Sequence, residues 1–299
     1  MPTLKPMVAA RCALVCSVAL FCVATLKAQP AKYEDRSLQL NGLRIHYQDW
    51  MGDGQPFIML HGIGRVSHSF DHVAPHFASR FHVYAIDMRG HGDSGWSPEG
   101  AYLVEDYVKD LEAFVEQLNL RNVVLLGNST GGRVVQVYAG LHPERVAKLI
   151  SEDVGPERTN EIASAFARRV EQEDKGWANE EELVQSLLRT GGKVAEPLQR
   201  NYAHFGSKLR ASDGRLVWKR DPNLVKGFVP TELWRFVTKI QCPTLYLLGG
   251  ASNIVPPETQ AKLKQTLSNV SIITMPGLGH YPHIESPEAY LEILSEFLK

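Results

Sequence analysis

Apolar residues follow two rhythms along this chain. Short, nearly unbroken apolar runs at 56–60, 81–86, 123–126, 146–151, 243–248 and 271–275 have the length and continuity of buried strands. Between them apolar positions recur at helical spacing, as at Val104, Tyr107, Val108, Leu111, Phe114, Val115 and Leu118. Strand and helix signals alternate in this way from residue 56 to residue 151, which predicts a mostly parallel sheet with helices on both faces. Ahead of it, strand patterns at 37–40 and 43–50 flank Asn41-Gly42, the strongest two-residue hairpin signal, so the fold is predicted to open with an antiparallel hairpin. In sheets of this kind the functional loops gather beyond the carboxyl ends of the strands. His61, Asp87, Ser129 and Asp153 each fall just past such an end.

After Pro156 the rhythm breaks. The next eighty residues are polar and helical, with no buried-strand signal, and read as a helical cap (157–236) inserted into a core formed by 37–156 and 237–299. Trp177, Trp218 and Trp234 are scattered along the cap, where they serve as its core or pack over the site. An amphipathic helix at 287–298 closes the chain.

The first residues read as an address. Lys5 and Arg11 precede an apolar stretch at 12–26, and Ala28 ends a cleavage site, which predicts a signal peptide over 1–28 and a secreted or periplasmic protein. If uncleaved, the same segment would anchor the chain in a membrane. Three of the four cysteines lie in it, so Cys242 alone would survive processing and no disulfide is expected. Stability must then come from the core, which the roughly 270 residues that follow the signal can build. A formal net charge of -1 gives no field to steer nucleic acid or an anionic membrane, and a small, roughly neutral partner fits it better.

The stretch 123–134, Val-Val-Leu-Leu-Gly-Asn-Ser-Thr-Gly-Gly-Arg-Val, adds chemistry to the pattern. A strand stops at Gly127, Ser129 follows two positions on, glycines close the turn and a helix begins. In such a G-x-S-x-G elbow the serine backbone is strained so that its hydroxyl stands off the sheet edge, and a Cβ at the flanking glycines would collide with neighbouring elements. The helix start also aims free N–H groups and a positive dipole end at the site. No Cys/His ligand cluster, phosphate loop or dinucleotide fingerprint accompanies it, so neither a metal nor an organic cofactor is called for.

Four motifs, His61-Gly62-Ile63-Gly64, Asp87-x-Arg-Gly-His-Gly-x-Ser94, Gly127-Asn-Ser-Thr-Gly131 and Gly279-His-Tyr-Pro-His-Ile-Glu-Ser-Pro287, stand in an order that resembles the α/β-hydrolase superfamily. The resemblance is to its capped esterases, lactonases, C–C hydrolases and haloalkane dehalogenases, and it covers 37–299 apart from the cap. It implies an α/β-hydrolase fold with Ser129 as nucleophile, His280 as its base, and the amides of Ile63 and Thr130 as the oxyanion hole. His91 and His283 are read as structural. Asp87, Arg89 and Asp93 are read as a hydrogen-bonded turn, and Asp106 and Asp110 as solvated or locally paired. Where most members carry the acid, in a G-x-x-D-x-I-V-P pattern, this chain has Gly249-Gly-Ala-Ser-Asn-Ile-Val-Pro256, with Ser252 or Asn253 in the acid's place. Other members take the acid one strand earlier, and a gapless comparison puts Asp153 there, with Glu152 the alternative. Only one of the two can face the histidine, because side chains alternate at a strand end.

The expected activity is that of a serine hydrolase cleaving a small ester or lactone through an acyl-enzyme. A serine at the elbow, where an aspartate would form an alkyl-enzyme, argues against haloalkane dehalogenase and epoxide hydrolase chemistry. A C–C hydrolase of ring-cleavage products is the nearest rival, and a non-hydrolytic small-molecule binding protein is the alternative from another class.

Overall fold

The computed structural model describes residues 32–299, and the expected signal segment at 1–28 lies outside them. Strands β1 (Glu34–Leu40) and β2 (Leu43–Asp49) pair antiparallel with Leu40 opposite Leu43. Asn41 and Gly42 between them take φ of 49° and 80°, the two left-handed residues of the tight turn that Asn-Gly favours. Then β3 (Gln55–Leu60), β4 (Phe81–Ile86), β5 (Val123–Asn128) and β6 (Val146–Glu152) alternate with α1 (Ala74–Phe77), α2 (Val104–Gln117) and α3 (Thr130–Leu141).

An insertion follows β6. It holds α4 (Asn160–Glu173), α5 (Glu180–Thr190), α6 (Glu196–Gly206), α7 (Leu224–Gly227) and α8 (Trp234–Val237). Two short ribbons join them, β7 (Glu157–Arg158) with β10 (Thr231–Glu232), and β8 (Ser207–Leu209) with β9 (Leu216–Trp218). The sequence predicts helix throughout this segment; strands of two or three residues carry no readable period, which is why the ribbons leave no signal. The sheet resumes with β11 (Thr244–Gly249) and β12 (Val270–Met275), interleaved and closed by α9 (Pro257–Thr266), α10 (Pro282–Glu285) and α11 (Pro287–Phe297).

The eight main strands lie in the order β1-β2-β4-β3-β5-β6-β11-β12. All pairings from β4 to β12 are parallel, and only β2 runs the other way, antiparallel to both of its neighbours, β1 and β4. Alternate residues of the central strands feed two cores. Ile58, Leu60, Val123, Leu125, Tyr246 and Leu248 face α2 and α3, while Phe57, Met59, Val124, Leu126, Leu245 and Leu247 face α1 and α11. Burial on both faces explains why these strands read as continuous apolar runs. Among the described residues no helix is long and apolar enough to cross a membrane.

Trp177 and Trp218 pack within the insertion, whereas Trp234 packs against the main core with Lys262 3.9 Å over its ring. Trp218 is buried, stacks on Tyr202 at 4.5 Å between ring centroids and meets Trp177 edge-on at 5.3 Å. Trp234 donates its Nε1–H to Glu157 at 2.6 Å.

Candidate active site

β5 delivers the chain to Ser129, whose φ of 52° and ψ of -116° lie outside the regions serine ordinarily occupies. Neighbouring backbone holds it there. The Ser129 N–H donates to the Glu152 carbonyl at 3.0 Å, and the Ser129 carbonyl accepts from the Arg133 N–H at 3.1 Å. A Cβ on Gly127 would run into the Gly131 backbone, and one on Gly131 into the Leu60 carbonyl of β3. Only with both glycines can α3 start this close to the strand ends.

Asp153 stands one residue past β6, at a left-handed φ of 45° that aspartate tolerates better than most residues. Its amide donates to the Leu247 carbonyl at 2.8 Å, which fixes the turn against β11. Oδ1 accepts from the Gly249 N–H at 2.9 Å. Oδ2 accepts from the Ser252 hydroxyl at 2.6 Å and from His280 Nδ1 at 2.6 Å. The carboxylate is 1% exposed and the imidazole 24%, so the ring alone of the two reaches open space. A carboxylate on Nδ1 keeps the proton there and leaves Nε2 as the free base. Burial alone would lower the His280 pKa; the Asp153 bond, with Tyr281 and Glu152 nearby, carries it above the ordinary histidine value.

The neighbouring carboxylate faces the opposite way. Glu152 is fully buried and accepts from the His283 N–H at 3.1 Å, His283 Nδ1 at 2.6 Å and the Tyr290 hydroxyl at 3.1 Å. Strand alternation thus gives each histidine of the 280–283 loop its own acid.

The other motif residues hold these loops in place. His61 is fully buried, donates from Nδ1 to the Gly62 carbonyl at 2.8 Å and accepts the Met88 N–H on Nε2 at 3.0 Å. Its carbonyl accepts the Gly131 N–H at 3.2 Å. Asp87 accepts from Ser67 N–H (2.6 Å), Asp93 N–H (2.9 Å) and His46 Nδ1 (2.8 Å). Although burial would raise its pKa, His46 and these donors hold the carboxyl well below the usual range. His46, Asp87 and Asp93 cluster as metal ligands can, but His46 is committed to Asp87 and Asp35, and Lys219 sits on Asp93. His91 is buried with Nδ1 on the Arg89 carbonyl at 2.9 Å, and burial pushes its pKa down to about 3. Asp110 departs from the solvated reading. It is buried and takes a two-pronged bond from Arg89, both contacts at 2.6 Å, with Asn41 adding a third at 2.9 Å.

Two amides are left over. Among the described residues neither the Ile63 N–H nor the Thr130 N–H has a hydrogen-bond acceptor, and Ile63 and Ser129 line one cavity. That cavity has a volume of about 330 Å³ and also takes in His280. Such a size lies at the small end of ligand sites, roughly 300–1,000 Å³. Sheet-end loops supply Val154 and Ile254, while α4 and the loop after α7 supply Ile162, Phe166 and Phe228. The insertion therefore forms part of the wall, with phenylalanines rather than its tryptophans. Tyr281 lines it too, and its phenol, which burial alone would raise, is lowered to about 7 by Arg65, Arg169 and His280.

The sequence pattern assigns no role to Asn128, Arg133 or Arg158, and it places Ser252 only as an uncharged residue in the acid's position. Asn128 donates from Nδ2 to the His280 carbonyl at 3.2 Å, tying the elbow to the histidine loop. Its place inside the G-x-S-x-G motif was the available signal.

Residues 55–287 match the family model described as alpha/beta hydrolase fold. The chain belongs to the α/β hydrolases. This α/β hydrolase is 28% identical over 272 residues to a 3-hydroxybutyrate-oligomer hydrolase of Cupriavidus necator, covering 85% of this chain and 92% of the relative. It is 28% identical to the 2-hydroxy-6-oxo-6-(2'-aminophenyl)hexa-2,4-dienoic acid hydrolase of Metapseudomonas resinovorans, over 89% of this chain and 91% of that one. The crystal structure of an E-2-(acetamidomethylene)succinate hydrolase shares the fold with a TM-score of 0.81 at 23% identity, over 89% of this chain and 99% of the other.

Proposed function

We propose that this α/β hydrolase is a serine hydrolase that opens a carboxylic ester or lactone through an acyl-enzyme. The observation that carries the reading is the 2.6 Å contact between Asp153 Oδ2 and His280 Nδ1, beside an elbow serine that opens into the same cavity as His280. His280 Nε2 takes the Ser129 proton as the hydroxyl attacks the carbonyl, and the Ile63 and Thr130 amides receive the oxyanion. The proton passes to the leaving alcohol, and water activated by the same imidazole releases the acid. Asp153 holds the ring in its working tautomer and stabilises the imidazolium. The segment 157–236 acts as a cap that excludes bulk water and shapes the acyl or alcohol site.

A fluorophosphonate probe tests the nucleophile. It should modify Ser129 in the folded protein, and peptide mapping that finds Ser129 unmodified after prolonged exposure would sink the enzyme reading in favour of a binding protein. Cleavage of a C–C bond is the second reading, favoured by the Metapseudomonas relative named for a dienoic acid. Turnover of vinylogous diketones but not of short esters and lactones would replace the first reading with it.

A further inference from the structure

The net charge of -1 conceals two buried cations inside the cavity that holds Ser129. Arg133, one turn into α3, is 1% exposed, and Arg158, on the β7 ribbon, is 9% exposed. Among the described residues neither forms an ion pair. Arg133 donates only to the Gly155 and Thr231 carbonyls, both at 3.2 Å, and its Nε has no acceptor. Arg158 reaches the Val229 carbonyl and the Thr130 hydroxyl only at 3.5 Å, with its guanidinium lying 3.7 Å over the Phe228 ring. The one carboxylate lining the cavity, Glu157, is engaged elsewhere, by Trp234 Nε1 at 2.6 Å, the Thr259 hydroxyl at 2.8 Å and Lys262 at 3.8 Å.

Buried charges without a counter-charge are costly, and such groups are ordinarily paired. Two buried guanidiniums repelling each other beside Ile63, Val154, Phe166 and Phe228 make that cost larger, whereas Arg169, the third arginine of the lining, is exposed and paired with Glu173 at 3.7 Å. Burial lowers the pKa of Arg133 to about 10 although Glu105 and Glu157 act on it from beyond pairing distance, and that of Arg158 to about 9, the latter helped by repulsion from Arg133. Guanidinium groups match carboxylate geometry with paired N–H donors. Arg158 also touches the side chain of Thr130, whose amide faces the site where an oxyanion would form.

From these observations we infer that the counter-charge comes from the substrate: the Ser129 site takes an ester or lactone that carries a carboxylate, held by Arg158 and Arg133, in the manner of a monoester of a short dicarboxylic acid. The inference rests on the reading of Ser129 as nucleophile for its catalytic part and on the arginines alone for its binding part. Glutarate-sized chains suit the cavity volume of about 330 Å³.

The test compares mono-para-nitrophenyl glutarate with para-nitrophenyl pentanoate, which differ by a carboxylate in place of a methyl group. A charge-assisted pair contributes enough to favour the charged ester by roughly 10–100-fold in kcat/KM. Arg158→Met should collapse that ratio toward one, and Arg133→Lys should reduce it, because a lysine cannot reproduce the forked contact. A parent ratio of one or below, in protein that the fluorophosphonate probe labels, overturns the inference. If neither ester turns over and no label is taken up, the nucleophile reading has failed instead, and binding decides. Calorimetry on the Ser129→Ala protein should then detect glutarate but not neutral glutaramide, with glutarate weakened about tenfold or more by Arg158→Met. Equal or undetectable binding of the two compounds overturns the anion site.

Discussion

Replacing Asp153 by asparagine removes one charge and almost no volume, so its effect reports what that carboxylate does. Three donors converge on the group: the Gly249 amide on Oδ1, and the Ser252 hydroxyl and His280 Nδ1 on Oδ2. Asparagine has one oxygen to offer. If it keeps the Gly249 bond, its NH₂ faces His280 and forces the ring to accept on Nδ1, which moves the proton to Nε2 and leaves no base for Ser129. If the amide is reversed, two N–H groups oppose each other at a buried site, which costs about 1–3 kcal/mol. Either way the imidazolium of the transition state loses a counter-ion, a contribution of order 4 kcal/mol at contact distance and an effective dielectric of about 20. These effects put the expected loss of kcat/KM at roughly 10³–10⁴-fold, the scale known for the tautomer-flipping change in serine proteases. The assay is hydrolysis of a para-nitrophenyl ester, with thermal unfolding to show that the fold is intact. Turnover within tenfold of the parent in a protein of unchanged Tm would refute the argument. So would the reverse pattern, in which Glu152→Gln abolishes turnover, because Glu152 contacts His283 and Tyr290 instead.

The pH profile carries a sign. The raised His280 pKa places the acid limb of kcat/KM above the ordinary histidine value of 6.5, with activity lost as pH falls through it. Asp153→Asn should move that limb to lower pH, and an unmoved limb would assign it to another group. For stability the direction reverses: the ion pair contributes fully below the unfolded histidine pKa and its contribution is lost as pH rises through the folded one, which unfolding measured against pH will show. Ser252→Ala removes one donor from Asp153 and should lower kcat/KM about tenfold with little change in KM; a change in KM alone would contradict the positioning role. Arg89→Met strands the buried Asp110 carboxylate and should cost about 3–5 kcal/mol in denaturant unfolding, while Ser129 labelling persists in the folded fraction. A loss below about 1 kcal/mol would mean that Asp110 finds another partner.

The centre of the sheet was legible because its inner strands are covered on both faces, whereas the edge strands β1 and β12 are largely exposed and β12 is not the buried strand its apolar run suggests. β4 begins and ends at the residues where its apolar run does, and α2 starts at the first residue of its helical pattern. What local pattern could not carry is whatever a distant element decides. Asp110 lies on α2 beside the apolar stripe and reads as solvated or locally paired, whereas its partner, Arg89, arrives from the loop after β4 and buries it. Arg158 reads as one of the polar residues that open a polar segment, and only the ribbon pairing of Arg158 with Thr231 brings it to the cavity wall. Of the two readings open to the tryptophans of the insertion, Trp177 and Trp218 take the first and fill its core, Trp234 packs against the main core, and two phenylalanines face the cavity.

The loop at 249–256 illustrates how an anomaly in a motif can be half of a contact. Taken alone, Ser252 is a lost acid. In the fold its hydroxyl lies 2.6 Å from Asp153 Oδ2, so a carboxylate at 252 would sit against one at 153, and two carboxylates at that separation cannot both stay ionised. A carboxylate at the end of β6 therefore disfavours a second one after β11. Serine does more than vacate the position, since its hydroxyl adds a donor to the carboxylate and its oxygen accepts the Ile254 N–H at 3.3 Å, bracing the loop that packs beside the site. Ser252→Asp sharpens the point. It should shut down ester turnover at neutral pH by forcing a proton onto the shared carboxylate pair, whereas Ser252→Asp combined with Asp153→Ser keeps a single acid within reach of His280 and should recover part of the lost rate. A single Ser252→Asp variant as active as the parent would show that the two positions do not share one charge.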